Sequence, residues 1–164
     1  MWEFPKAVSL VAGAGEAITE LNAFDRALMD AGIANLNFIR VSSIMPPGAR
    51  VVPLPRLYPG MLVPAVYAQI VSHTPGERIA AALGIGICRD AYGVIMEYSH
   101  MGAAENAEAI VRRMVDDAFR MRDLRLDEVH VAAREHVVER TGCVVAVALL
   151  WPDANGAQPK GAGR

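Results

Sequence analysis

The order of predicted elements constrains the fold of this chain more than any single motif does. Segments 20–32 and 104–123 have helical periodicity, and strand-like runs fill most of the remaining chain up to residue 151. The order is strand, helix, two strands, then two strands, helix, two strands, which hints at a duplicated strand–helix–strand–strand unit. Long strands with two helices favour stacked sheets covered by helices. We therefore predict an α+β fold.

Glycines, prolines and polar residues separate the predicted strands. These strands are 6–13, 35–43, 61–72, 77–90, 92–100, 127–138 and 142–151. Segment 77–90 begins like a helix and continues with glycines and isoleucines, and we assign it as a strand. The stretch "AGAGEAIT" is predicted to be a loop, and Pro64 predicts an edge strand or a bulge. We expect one domain over residues 1–151 and a disordered tail at 152–164.

Composition excludes several classes of protein. Of the 164 residues, 53% are hydrophobic, which is above a disordered composition. The 16 basic and 18 acidic residues give a net charge of −2, so nothing indicates a nucleic-acid-binding protein. No apolar run reaches the roughly 18 residues that span a membrane, and the start of the chain does not resemble a signal peptide. We expect a cytoplasmic protein.

Motifs for metals and nucleotides are incomplete in this chain. Cys88 and Cys143 lie in apolar runs, which favours buried, reduced thiols over a single disulfide. The four histidines have no metal-ligand spacing with these cysteines, so we expect no metal site. The stretch "GAGEAI" lacks the third glycine of a dinucleotide-binding loop.

Three positions depart from the pattern of a plain core. The predicted buried stripe of the first helix consists of Leu21, Phe24, Leu28 and Ala31. Asp25 falls on this stripe, where an unpaired carboxylate is costly. Glu97 lies inside an apolar strand, where burial raises a carboxyl pKa, and strand alternation puts Asn37 and Ser43 on one side. A structural role remains the alternative for each residue alone, but together they indicate a functional set.

Four segments of the chain resemble the pyruvoyl-dependent arginine decarboxylases. They are "LNAFDRALMDAGIANLNFIRVSSIMPP", "LPRLYPGMLVPAVYAQI", "GVIMEYS" and "EHVVERTGCVVAVALLW". The resemblance extends from about Val8 to Trp151, and the block "N-x-x-R-x-S-S-I-M-P-P" is highly specific. It implies a four-layer α/β/β/α sandwich that assembles as a trimer or a dimer of trimers. It also implies active sites between neighbouring subunits.

The resemblance gives the serine pair a chemical role. It implies self-cleavage between Ser42 and Ser43. In this reaction the Ser43 hydroxyl attacks the Ser42 carbonyl, and β-elimination then cuts the chain. The products are a β chain, 1–42, and an α chain, 43–164, in which Ser43 has become a pyruvoyl group. This group supplies a carbonyl for decarboxylation without pyridoxal phosphate or a metal. Asn37 is the expected donor to the developing oxyanion.

The implied reaction converts L-arginine to agmatine and carbon dioxide, a step in polyamine biosynthesis. Glu97 is the expected acid that protonates the substrate carbon after carbon dioxide leaves. Asp25 is expected to hold the guanidinium as a bidentate pair, and Leu28 to line the channel for the methylenes. Two alternatives stay open. One is the same chemistry on another amino acid, and the other is a non-processed trimeric homologue that binds a small ligand.

Overall fold

Two helices and two sheets make up the computed structural model, which describes residues 3–152. The helices are α1 (Glu20–Asp30) and α2 (Ala104–Arg120). The strands are β1 (Ala7–Glu16), β2 (Asn37–Arg40), β3 (Ile44–Met45), β4 (Arg50–Val51), β5 (Leu62–Ser72), β6 (Arg78–Ile87), β7 (Gly93–Met101), β8 (Glu128–Val137) and β9 (Gly142–Trp151). The α+β class is confirmed, and segment 77–90 is a strand as predicted. The predicted tail falls outside the described residues from position 153 onward.

Each sheet has one face toward the other sheet and one face toward a helix. The strand order is β2-β5-β9-β1-β4 in the first sheet, here sheet A, and β3-β7-β6-β8 in the second, here sheet B. Every residue of β9 is buried. Because side chains alternate along a strand, Val144 and Ala146 pack between the sheets whereas Val145 and Val147 pack under α1. β9 therefore contributes to two layers of core.

β6 has the same role in sheet B. Leu83 and Ile85 pack between the sheets, and Ala80 and Ala82 pack against Val111 of α2. The layers are thus α1, sheet A, sheet B and α2. Apart from the short β3 and β4, the order β1-α1-β2-β5 recurs as β7-α2-β8-β9, with β6 between the two units, but the units pair differently. β1, β2 and β5 all belong to sheet A, whereas β8 and β9 enter different sheets.

The predicted loop "AGAGEAIT" is wrong in its first part, because β1 continues to Glu16. A Cβ atom at Gly13 would lie 2.2 Å from the carbonyl oxygen of Ala27, and one at Gly15 would lie 2.4 Å from the Cβ of Arg26. The glycines therefore let α1 approach the backbone of β1 closely. They are packing residues here and do not form a turn.

The buried side of α1 also differs from the predicted stripe. The buried residues of the helix are Ala23, Ala27 and Leu28, whereas Leu21 is 75% exposed. Ala27 and Ala31 lie where the helix approaches the glycines of β1. Asp25 is exposed, which overturns its expected place on the buried stripe.

Two strand predictions need correction. The strand predicted to reach residue 43 ends at Arg40, because the chain leaves sheet A there and enters sheet B at Ile44. β5 is not an edge strand, since it lies between β2 and β9. Pro64 is tolerated because the ladder between β5 and β9 begins only at the next residue, Ala65.

Candidate active site

The serine pair lies where the chain crosses from sheet A to sheet B. On the sheet A side, the amide of Val41 donates a hydrogen bond to the carbonyl oxygen of Ala65 at 3.1 Å. On the sheet B side, the amide of Ile95 donates to the carbonyl oxygen of Ser43 at 2.7 Å. The Ser42–Ser43 peptide bond therefore spans a short crossing that backbone hydrogen bonds fix at both ends.

Glu97 lies on β7, close to this crossing. The β3–β7 register pairs Ile44 with Val94, so one further residue places Ser43 opposite Ile95. Glu97 comes two residues later and points to the same face as Ile95. Ser43 and Glu97 are then diagonal neighbours, a relation in which residues lie about 7–8 Å apart. The structure brings these two predicted residues together.

The environment of Glu97 acts on its pKa in two directions. Partial burial raises the pKa of this carboxyl group, and the positive charge of Arg40 opposes the rise without cancelling it. Both side chains line one pocket of about 340 Å³. The pocket is lined by Arg40, Tyr67, Ala68, Gln69, Val71, Glu97, Tyr98 and Ser99. A carboxyl group with a raised pKa keeps its proton closer to neutral pH, as a proton donor requires.

Arg40 is a residue of this pocket that sequence reasoning missed. Its Nη2 donates a hydrogen bond to the carbonyl oxygen of Tyr67 at 3.2 Å, and its guanidinium lies 4.5 Å from the centroid of the Tyr67 ring. A signal was present in the sequence, since Arg40 lies two positions before Ser42 and alternation puts both on one side of the strand.

Asp25 lies on the outward side of α1, beside a second pocket of about 350 Å³. This pocket is lined by Asp25, Met29, Gly32, Ala34, Asn35, Leu36, Leu57 and Pro59. Leu28 is only 5% exposed and belongs to the core between α1 and sheet A. In the single chain, therefore, Asp25 is accessible to a ligand, whereas the side chain of Leu28 packs into the protein's own core.

Asn37 belongs to the same end of the molecule as Asp25. Its Nδ2 donates to the carbonyl oxygen of Gly60 at 3.0 Å, and the amide of Gly60 donates to the carbonyl oxygen of Asn35 at 2.8 Å. Asn35 also lines the pocket of Asp25. Along the extended strand, Asn37 and Val41 are about 13 Å apart. The structure does not bring Asn37 into contact with Ser43 within one chain.

The predicted polar residues, together with Arg40, thus form two groups near opposite ends of β2. We call Ser42, Ser43, Glu97 and Arg40 the serine half-site, and Asp25 and Asn37 the aspartate half-site. The serine half-site suits a pyruvoyl group, because the carbonyl of residue 43 is already held by a backbone donor. Within residues 3–152, no group of three or more histidine, cysteine, aspartate or glutamate side chains is placed to hold a metal ion. No helix among these residues is long and apolar enough to cross a membrane.

This chain is similar to a known protein family and to curated proteins that carry the family's description. The sequence model of the pyruvoyl-dependent arginine decarboxylase family matches residues 7–155. A protein of that name from Methanocaldococcus jannaschii is 50% identical over 152 residues, which cover 92% of both chains. Others from Methanococcus maripaludis and Pyrococcus abyssi are 45% and 40% identical, and they are covered over 93% and 98% of their lengths.

Proposed function

The chain belongs to the pyruvoyl-dependent arginine decarboxylase family, and from this premise we propose that it decarboxylates L-arginine to agmatine after cutting itself between Ser42 and Ser43. The observation that carries the proposal is the crossing between the sheets, where the Ser43 carbonyl oxygen accepts a hydrogen bond from Ile95, two residues before Glu97 on β7. Agmatine is a diamine precursor, which supports a role in polyamine biosynthesis.

The cutting reaction uses atoms that the crossing already holds in place. The Oγ of Ser43 attacks the carbonyl carbon of Ser42, and the peptide bond becomes an ester as the nitrogen of residue 43 leaves as an amine. Loss of the Cα proton of residue 43 then breaks the Cβ–Oγ bond and releases Ser42 as a carboxylate. Water replaces the nitrogen, which leaves as ammonia, and residue 43 becomes a ketone. Backbone hydrogen bonds on both sides support this geometry by limiting the motion of the reacting bond.

The ketone at residue 43 supplies the electron sink for the charge that carbon dioxide leaves behind. The chain's own residues do the rest of the work. Glu97 holds a proton beside residue 43 and delivers it to the substrate carbon. The amide of Ile95 continues to donate to the carbonyl oxygen of residue 43, because that carbonyl is not broken by the cut. It keeps the reacting end of the chain against β7.

We further propose that two subunits complete each site in a trimer or a dimer of trimers. The aspartate half-site of one subunit faces the serine half-site of its neighbour, so that Asp25 binds the substrate guanidinium and Asn37 serves the neighbouring Ser43. The separation of the half-sites along β2 supports this arrangement. So does the outer row of α1, where the exposed side chains of Leu21 and Met29 flank Asp25. Leu28 shapes the channel from beneath through its packing.

The cytoplasm is the compartment that we propose. Cys88 and Cys143 are both buried and free, and they lie in different layers of the core. Burial raises the pKa of the Cys143 thiol to about 12. Two separated, unreactive thiols need no oxidising environment.

An intact-mass measurement tests the cut directly. Wild-type protein should give two fragments, 1–42 and 43–164. The larger one should react with a carbonyl reagent. Ser43→Ala should give one uncut chain, because the nucleophile is lost. Ser42→Ala is the matched control and should still cut, since residue 42 contributes only its carbonyl group. Cleavage of Ser43→Ala between 42 and 43 would refute self-processing. A wild-type chain that stays whole would favour the non-processed ligand-binding alternative.

A further inference from the structure

We propose that Arg40 binds the carboxylate that the cut creates at Ser42, so that the new end of the 1–42 chain stays docked beside the pocket of Glu97. This inference rests on the proposed self-cleavage. It gives Arg40 a positioning role and defines a carboxylate site next to the reacting residue.

The position of the Arg40 guanidinium is the first observation. The β2–β5 register pairs Arg40 with Ala65, and two further residues along this ladder would place Ser42 opposite Tyr67. The chain leaves sheet A before that pair can form. The Nη2 of Arg40 occupies the vacant hydrogen-bonding position instead, because it donates to the carbonyl oxygen of Tyr67 at 3.2 Å. The amide of Val41 donates to Ala65 in this ladder, so the donor to Tyr67 would have been the amide of Ser43, which is bonded to the Ser42 carbonyl carbon. The guanidinium therefore lies where this amide would have paired.

The second observation is the unused capacity of this guanidinium. Arginine has five N–H donors in one plane, and a carboxylate accepts two of them in parallel. One hydrogen bond, to Tyr67, is formed by this guanidinium within residues 3–152. The guanidinium carbon lies 4.5 Å from the centroid of the Tyr67 ring, a cation–π contact that leaves the N–H groups at the guanidinium edge free of the ring. A bidentate edge is therefore left for a ligand.

The third observation is the charge balance of the pocket. In the uncut chain Ser42 presents a neutral peptide carbonyl, and the hydrogen bond to Ser43 from Ile95 draws the chain toward β7. The cut replaces this carbonyl with a full negative charge and frees it from residue 43. Arg40 is the only cation among the residues that line the pocket, and Glu97 is its only anion. A terminal carboxylate bound to Arg40 is neutralised, and Glu97 then no longer lies beside an uncompensated positive charge that favours its ionised form.

Accessibility of the new chain end tests the docking. Processed enzyme is treated with a carboxypeptidase of broad specificity, and the mass of the 1–42 fragment is followed with time. We expect slow loss of Ser42 from wild type and loss at least about tenfold faster from Arg40→Met, because a charge-assisted pair is removed. Arg40→Lys, which keeps the charge without the planar fork, should be intermediate.

Arg56→Met is the matched control. Arg56 also lies over a tyrosine ring, at 5.2 Å from the centroid of Tyr58, but it belongs to neither half-site. It should release Ser42 as slowly as wild type does. Equal rates of release from wild type and Arg40→Met would overturn the inference. If wild type yields no 1–42 fragment at all, the proposed self-cleavage fails instead. The mass spectrum therefore distinguishes a failure of docking from a failure of self-cleavage.

A second measurement keeps the inference testable if Arg40→Met does not cut. In wild type, raising sodium chloride from low salt to about 1 M should speed the loss of Ser42, because salt screens an exposed ion pair. The rate of Ser42 loss from the protein is divided by the rate of serine loss from a free peptide that ends in Ile-Arg-Val-Ser. This ratio corrects for effects of salt on the carboxypeptidase. A corrected rate that does not change with salt would contradict a docked carboxylate.

Discussion

At the scale of single residues, the surroundings of Glu97 determine how strongly this carboxyl group holds its proton. Burial against sheet A favours the protonated carboxyl, while Arg40 favours the ionised form. The net direction is a raised pKa, so the group is lost as a proton donor at a higher pH than an ordinary glutamate. Activity that needs protonated Glu97 should therefore decline as the pH rises through this raised pKa.

Glu97→Gln separates the use of the ketone from its formation. The amide keeps the size and hydrogen bonding of the side chain but has no proton to give, so turnover per carbonyl group should fall by roughly 10²–10⁴-fold. Cleavage should still occur, because the nucleophile is intact. The alkaline decline of kcat should also disappear, since the titrating group is gone.

A purely structural glutamate gives a different pattern. In that case Glu97→Gln would lower the melting temperature and leave kcat per carbonyl group close to that of wild type. Measuring both quantities on one preparation, with the carbonyl content determined chemically, distinguishes the two roles.

At the scale of elements, the contact between α1 and β1 is the tightest feature of the fold. Gly13→Ala places a methyl group 2.2 Å from the carbonyl oxygen of Ala27, which is backbone and cannot rotate away. The helix must shift, and we expect a loss of about 3 kcal/mol in the free energy of unfolding. Denaturant titration of the uncut Ser43→Ala background measures this loss without the complication of two chains.

Gly48→Ala is the comparison for this prediction. A Cβ at Gly48 meets nothing within 4 Å, but its φ of +74° strains an alanine, which costs about 1–2 kcal/mol. A Gly13→Ala variant that loses no more than Gly48→Ala would show that α1 can move away from β1 easily.

Elements with a strong local pattern could be predicted from the sequence, and those set by distant partners could not. The strand 142–151 was predicted with its exact bounds, because a long apolar run between turn residues has few other solutions. β3 and β4 have two residues each and exist only through pairing with β7 and β1. The glycines of β1 indicate a loop when only neighbouring residues are considered. Their role is to let α1 pack closely, and the residues of α1 that they contact are distant in sequence.

The candidate site shows the same limit. Alternation gives the side on which a residue lies only within one strand, and it gives no information on separation or on a crossing between sheets. The prediction that Asn37 and Ser43 lie on one side of a single strand therefore fails, because β2 ends at Arg40 and Ser43 lies in the crossing to sheet B. The place of Arg40 in the pocket depends on the end of β2 at this residue, which the sequence pattern does not give.

At the scale of the whole molecule, the proposed sites require two subunits, and this can be tested by complementation. Asp25→Asn should lose about 2–4 kcal/mol in kcat/KM for arginine, as when one partner of a charged pair is removed. Ser43→Ala should be inactive. When the two variants are co-expressed, about a quarter of the interfaces in randomly mixed trimers combine an intact Ser43 with an intact Asp25. Activity should then exceed that of either variant alone.

Separately purified variants that are mixed after assembly serve as the control, because their subunits have not exchanged. Co-expressed variants with no more activity than the better parent would show that Asp25 and Ser43 act within one subunit. They would also contradict the proposed interface along the outer row of α1.

The long ladder between β1 and β9 affects how the mature enzyme unfolds and refolds. β1 pairs with β9 from Ala7–Trp151 to Glu16–Gly142, and the buried Ser9 hydroxyl accepts a hydrogen bond from the Trp151 ring nitrogen at 3.0 Å. After the cut, these partners sit on separate polypeptides, so the folded unit is a non-covalent heterodimer. Its recovery from denaturation becomes second order and depends on dilution, as mass action requires. The mature protein must therefore rely on slow unfolding for its persistence, since fragments that drift apart have no intramolecular route back.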